Sequence, residues 1–73
     1  MRIEEVKVGD ILVSGCFGYR VIEVNIDKEI VHVQTAYRLD MRGKIVEEKK
    51  NGKHCRVSPV CFARKYFGKA VVL

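Results

Sequence analysis

The sequence has one proline, only short apolar runs and no paired cysteines, and each shortage removes a class of protein. Its apolar runs reach three or four residues, far below the roughly 20 that a membrane helix needs. The first five residues carry two acids and no apolar stretch, unlike a signal peptide. The cysteines Cys16, Cys55 and Cys61 are odd in number and irregularly spaced, whereas small secreted domains usually carry an even, denser set. We therefore expect reduced thiols and a cytoplasmic location.

Signatures of catalysis and metal binding are also missing. The sequence contains no phosphate loop, dinucleotide fingerprint, H-E-x-x-H motif or carboxylate pair. Cys16 lies in a glycine-containing loop where His32 can in principle activate it, but nothing marks the third group that would orient the base. His54 and Cys55 point to opposite faces of a strand, so a shared zinc ion is disfavoured. Cys55 and Cys61 fit better as small core residues, and we expect no enzyme activity, no cofactor and no metal.

Length and composition favour a small binding module. A chain of 73 residues has room for one domain and one core. Folding at this size buries only about 60% of the surface of the unfolded chain, which leaves little room for a deep cleft. No repeat, low-complexity tract or Pro/Gly/Ser-rich linker divides the sequence. We expect residues 1–73 to form a single domain.

Positive charge is concentrated in the second half of the chain. Residues 1–37 have four basic and six acidic side chains, whereas residues 38–69 have ten basic and three acidic ones, a balance of +7. Such asymmetry indicates a nucleic-acid partner or an acidic protein partner. A solubilising surface would produce a similar net charge in a small domain.

Alternating side chains predict several short strands. Over residues 19–26 the apolar positions Ile22, Val24 and Ile26 share one face. Residues 31–39 are predicted to form one long strand, with an uninterrupted β-branched and aromatic face. That face comprises Val31, Val33, Thr35, Tyr37 and Leu39. An exposed edge along residues 29–40 would let two copies pair.

The second half of the chain carries three turn or helix signals. Arg42-Gly43 predicts a turn, and Asn51-Gly52 predicts a type I′ hairpin between strands at 45–49 and 53–57. Ser58-Pro59 is typical of a helix start. The spacing of Phe62 with Tyr66, and of Ala63 with Phe67, predicts about two helical turns that end at Gly68. A last short strand is expected over residues 69–73.

The predicted domain is mainly β, with five or six short strands and one short helix before the last strand. Such a domain removes its exposed strand edges best by curling into a small barrel. The segments Val8-Gly9-Asp10-Ile11-Leu12-Val13 and Gly18-Tyr19-Arg20-Val21-Ile22-Glu23-Val24 resemble the first hairpin of SH3-like barrels, including KOW and Tudor-type modules. The resemblance implies a small SH3-like barrel, and the polar hairpin around Asn51-Gly52 would be an extra element. An OB-like barrel and an open α+β sheet are the alternatives.

The leading functional hypothesis is a non-enzymatic module that contacts RNA or DNA through a basic surface within residues 38–69. Phe17 and Tyr19, beside the first loop, are candidates for stacking on bases or docking a peptide, or else for closing the barrel ends. The alternative is a protein-interaction module, a regulator or inhibitor of the kind that phages encode, which docks on an acidic surface of a larger machine. The predicted binding residues are Arg38, Arg42, Lys44, Lys49, Lys50, Lys53, Arg56, Arg64, Lys65, Phe17 and Tyr19.

Overall fold

The structure, a computed structural model, describes residues 1–66. In this part of the chain, six strands form one antiparallel sheet, and two short 3-10 helices cover Ile3–Glu5 and Pro59–Cys61. The strands are β1 (Ile11–Ser14), β2 (Phe17–Asn25), β3 (Ile30–Leu39), β4 (Ile45–Glu48), β5 (His54–Val57) and β6 (Arg64–Lys65). The prediction of a mainly β protein is confirmed. No helix within residues 1–66 is both long and apolar enough to cross a membrane.

The first hairpin, which the resemblance of its two arms implied, is present. β1 pairs antiparallel with β2, with Leu12 opposite Tyr19 and Ser14 opposite Phe17. Gly15 and Cys16 form the two-residue connection, so the glycine-containing loop around Cys16 is a tight turn. The turn at Arg42-Gly43 is also confirmed: Gly43 has φ +82°, and the Asp40 carboxylate accepts hydrogen bonds from the backbone N–H groups of Arg42 and Lys44.

A bulge in β2 overturns the predicted face of that strand. Val21 lies opposite Val33 and Glu23 lies opposite His32, so Ile22 is the extra residue between them. As a result Val21 is fully buried, whereas Ile22 and Ile26 are exposed. Because the extra residue shifts the alternation of side chains by one position, Val24 packs against the core, as Val21 does. The prediction that Ile22, Val24 and Ile26 share the buried face was therefore wrong.

A second bulge, in β3, divides the core into two clusters. Thr35 lies opposite Tyr19 and Tyr37 lies opposite Gly18, which leaves Ala36 as the extra residue. Val31 and Val33 therefore pack into a first cluster with the N-terminal segment and Phe62, whereas Tyr37 and Leu39 pack into a second cluster on the opposite face. β3 exists as predicted, but its apolar side chains serve two faces of the sheet. We call the two sides face 1 (Val31, Val33) and face 2 (Tyr37, Leu39).

β4 and β5 do not pair with each other. Both lie antiparallel to β3, β4 beside its C-terminal part and β5 beside its N-terminal part, so that they form one interrupted edge strand. Gly52 is absent from the residues with positive φ, and Asn51 also has a negative φ. The predicted type I′ hairpin at Asn51-Gly52 was therefore wrong. β3 has partners on both sides, so the predicted free edge along residues 29–40 is also wrong.

The predicted two-turn helix is replaced by one 3-10 turn. The Ser58 hydroxyl accepts from the Val60 N–H and Pro59 is the first helical residue, as expected for this start. The helix ends at Cys61, and Arg64–Lys65 then pair with β1 as β6. Phe62 is buried in the first cluster as predicted. The predictions for Phe67, for Gly68 and for a final strand over residues 69–73 lie outside the described residues.

Candidate nucleic-acid interface

A lysine-rich loop over residues 49–53 separates β4 from β5 at the edge of the sheet. The Lys49 N–H donates to the Ala36 carbonyl over 2.7 Å, and the Thr35 N–H donates to the Lys53 carbonyl over 3.0 Å. These bonds anchor both ends of the loop on consecutive residues of β3. The intervening residues Lys50 and Asn51 are therefore pushed outward, and both are exposed. We call this segment the lysine loop.

The lysine loop borders a groove of about 450 Å³ lined by Thr35, Lys49, Asn51, Gly52 and Lys53. Gly52 approaches β3 so closely that a Cβ at this position would overlap the carbonyl oxygen of Thr35. The Gln34 amide also donates to the Gly52 carbonyl over 3.1 Å. The glycine therefore holds the loop against the sheet, and the groove has two lysines on its wall.

Part of the predicted basic set is neutralised by neighbouring carboxylates. Glu47 lies 3.1 Å from the Arg38 Nε and 3.9 Å from the Lys49 Nζ. The hydrogen bond from Arg38, followed by the charge of Lys49, holds the pKa of Glu47 below its ordinary value. Lys65 lies 3.2 Å from the Asp10 carboxylate. Arg38, Lys49 and Lys65 are thus less available to a partner than their charges suggest.

Five of the six remaining cations of the predicted set fall into two groups, and the sixth, Lys44, lies in the turn between β3 and β4. No ion pair within residues 1–66 involves Arg42, Lys44, Lys50, Lys53, Arg56 or Arg64. Lys50, Lys53 and Arg56 lie on the lysine loop and on β5. Arg42 and Arg64 line a separate groove of about 210 Å³ together with Lys65 and Tyr66. Arg64 and Lys65 belong to a strand, and not to the helix that was predicted for this segment.

The two aromatic candidates lie on β2, where Tyr19 is opposite Thr35, the β3 residue that lines the lysine-loop groove. Tyr19 is half-buried and its ring is 5.5 Å from the ring of Phe62, which packs in the first cluster. Phe17 is half-buried as well, with its ring 6.4 Å from that of Tyr19. Leu12, the partner of Tyr19, belongs to the first cluster, so both rings lie on face 1. Tyr19 therefore closes one end of the core.

Face 2 carries a polar surface that the sequence did not single out. Arg20, Gln34 and His54 form one row across β2, β3 and β5. Glu23, His32 and Arg56 form the next row across the same strands. The His32 Nε2 and His54 Nδ1 atoms are 2.9 Å apart. Arg20 donates from its guanidinium to the Tyr37 hydroxyl over 2.9 Å. His32 and Gln34 alternate in the sequence with the β-branched residues Val31, Val33 and Thr35, but the arrival of β5 beside β3 was not visible in the sequence.

The structure does not bring Cys16 and His32 together. Cys16 accepts a hydrogen bond from the Leu39 N–H at the C-terminal end of β3, whereas His32 lies seven residues earlier on that strand, about 20 Å away. His32 therefore cannot activate Cys16. Cys55 and Cys61 are exposed, not buried in the core as predicted. Within residues 1–66, no three histidine, cysteine or acidic side chains are placed to share a metal ion.

Comparison of the chain with models of protein families, with curated proteins and with solved structures gives no match.

Proposed function

We propose that the chain is a non-enzymatic binding module that contacts RNA or DNA through its basic surface, with the lysine loop as the centre of that surface. The observation that carries this proposal is the way the loop interrupts the edge strand. Two hydrogen bonds to β3 expose Lys50, and Lys53 lines the groove beside it. Neither lysine has an acidic partner within residues 1–66.

The physical basis of this proposal is the polyanionic backbone of nucleic acids. Each phosphate that a lysine or arginine neutralises releases condensed counterions, so clustered unpaired cations give affinity that falls steeply with salt. Lys50 and Lys53 on the lysine loop and Arg56 on β5 follow one another along the same edge of the sheet. The Gly52 contact with Thr35 limits movement of the loop, which lowers the entropy cost of ordering these side chains on binding.

The finer fold that we propose is a small SH3-like barrel. Its support is the strand order β4-β3-β2-β1-β6, in which the last described strand lies beside the first, and the 3-10 turn that precedes it. The curvature of the sheet also supports it. Arg42 and Gly43, in the β3–β4 turn, line the same groove as Tyr66, which follows β6, so the two sides of the sheet approach each other.

The proposal predicts that reversing the charge of the lysine loop weakens binding to every nucleic acid. The variant is Lys50→Glu/Lys53→Glu, and the measurement is a salt titration of affinity for mixed-sequence single- and double-stranded RNA and DNA. Each lost phosphate contact should reduce the slope of log affinity against log salt by about 0.7 to 0.9. We expect the double variant to lower affinity at least about tenfold at low salt, since two contacts are lost and two repulsions are added.

The matched control is Arg2→Glu/Lys7→Glu, which makes the same change of charge in the exposed N-terminal segment. It should weaken binding far less than the lysine-loop variant. Affinity that responds neither to salt nor to the lysine-loop variant contradicts the proposal. A partner that stays bound to the tagged protein after nuclease treatment, while purified nucleic acid does not bind at low salt, favours docking on an acidic protein instead.

A further inference from the structure

We infer that the nucleic acid is single-stranded and that its bases lie across the polar part of face 2, the surface formed by Arg20, Glu23, His32, Gln34, His54 and Arg56. This inference rests on the proposed function and adds the class of nucleic acid. It depends on a surface that β2, β3 and β5 form together and that meets the lysine loop where Lys53 precedes His54.

The chemistry of this surface suits unpaired bases. Most of its side chains end in flat groups: two imidazoles, two guanidiniums and one amide. Histidine rings and arginine planes stack on bases, and amides hydrogen-bond to base edges once the bases are unstacked. Its charge is also complementary to a nucleic acid, since Arg20 and Arg56 outnumber Glu23.

The histidine pair is held in place by the sheet. His32 comes from β3 and His54 from β5, and their ring centroids are 5.1 Å apart with the planes inclined at 53°. Gln34, directly opposite His54, is itself fixed by its hydrogen bond to the Gly52 carbonyl. The rings therefore project from a rigid support, which is the arrangement that favours stacking without a large loss of side-chain entropy.

The surface continues directly into the lysine loop. Lys53 immediately precedes His54, and Arg56 lies two residues further along β5, on the same face as His54. Lys53 and Arg56 are about 10 Å apart along the strand. One strand of nucleic acid can therefore contact phosphate-binding cations at the edge and planar side chains on the sheet at the same time.

A duplex fits this surface poorly. Sequence-reading proteins insert a helix or a two-stranded ribbon into the major groove, which is about 12 Å wide. In the described part of the chain, the side chains of the polar surface come from three neighbouring strands of one sheet, β2, β3 and the edge strand β5, and not from a helix or a separate two-stranded ribbon. Stacked and paired bases would be out of reach of the two imidazoles.

The test compares His32→Ala/His54→Ala with His32→Phe/His54→Phe at pH 8, above the range in which histidine ordinarily titrates. The probes are a mixed-sequence single-stranded RNA, the DNA of the same sequence and their duplexes. We expect the wild-type protein to bind single strands more tightly than duplexes. The alanine variant should lose at least about fivefold in affinity for single strands, whereas the phenylalanine variant should retain most of it because a ring is still present.

The control is Val8→Ala/Val60→Ala, which trims two exposed side chains away from the polar surface and should leave affinity unchanged. Thermal unfolding of each variant checks that the fold is kept. Equal affinity for duplex and single strand, or an alanine variant that binds like the wild type, overturns the inference. If the lysine-loop variant still weakens binding in that case, the proposed function stands; if no nucleic acid binds the wild-type protein at low salt, both fail.

Discussion

Gly52 is the residue on which the shape of the lysine loop depends. Its missing side chain lets the loop lie against the Thr35 carbonyl, and a Cβ would overlap that oxygen. We predict that Gly52→Ala lowers the free energy of unfolding by about 1 to 3 kcal/mol, the usual cost of forcing an extra methyl into a tightly packed position. Urea denaturation measures the change.

Two companion variants distinguish this contact from a requirement for left-handed backbone. Asparagine tolerates positive φ better than most residues, yet Gly52→Asn should be as damaging as Gly52→Ala because the obstacle is the Thr35 oxygen. Asn51→Ala, in the exposed neighbour, should be nearly neutral. A Gly52→Asn variant that is clearly more stable than Gly52→Ala, or a damaging Asn51→Ala, would favour the type I′ turn instead.

At the scale of the strand, the sequence predicted which segments are extended. It did not predict where the strands bulge or which strands pair with each other. The long alternation of residues 31–39 correctly indicated β3, because β-branched residues favour extended backbone. It could not indicate the bulge at Ala36, since a bulge depends on the register of the partner strand and leaves no fixed residue signature. The sequence could not indicate that β4 and β5 do not pair with each other, for a similar reason. Asn51-Gly52 has the composition of a hairpin turn, whereas the contact of Gly52 with Thr35 is made only in the folded sheet.

The bulge in β2 leads to a prediction about two neighbouring residues. Val21 is 1% exposed and Ile22 is 38% exposed, although the alternation assigns Ile22 to the core. Val21→Ala should lower the free energy of unfolding by about 2 kcal/mol, whereas Ile22→Ala should cost less than about 1 kcal/mol. Urea denaturation of the two variants under the same conditions compares them directly. The reverse order would place Ile22 in the core and remove the bulge.

At the scale of the whole molecule, the concentration of charge in residues 38–69 was readable from the sequence, but its distribution in space was not. The fold pairs Arg38 and Lys49 with Glu47 and Lys65 with Asp10, and it places Arg42 and Arg64 in a groove separate from the lysine loop. The polar part of face 2 was missed because its residues come from three separate strands of the chain, β2, β3 and β5. Only the order of the strands brings them together.

The division of the core raises the question of whether the molecule unfolds in one step. β3 contributes Val31 and Val33 to the first cluster and Tyr37 and Leu39 to the second, so neither cluster can lose its order without disturbing the same central strand. We therefore predict a single cooperative transition. In hydrogen exchange measured by NMR at increasing urea, the amides of Val33 and Leu39 should converge on the same free energy of opening. Phe62→Ala, which opens the first cluster, should then lower the protection of Leu39 as much as that of Val33. Protection of Leu39 that survives this substitution would mean that the two faces of the sheet fold as separate units.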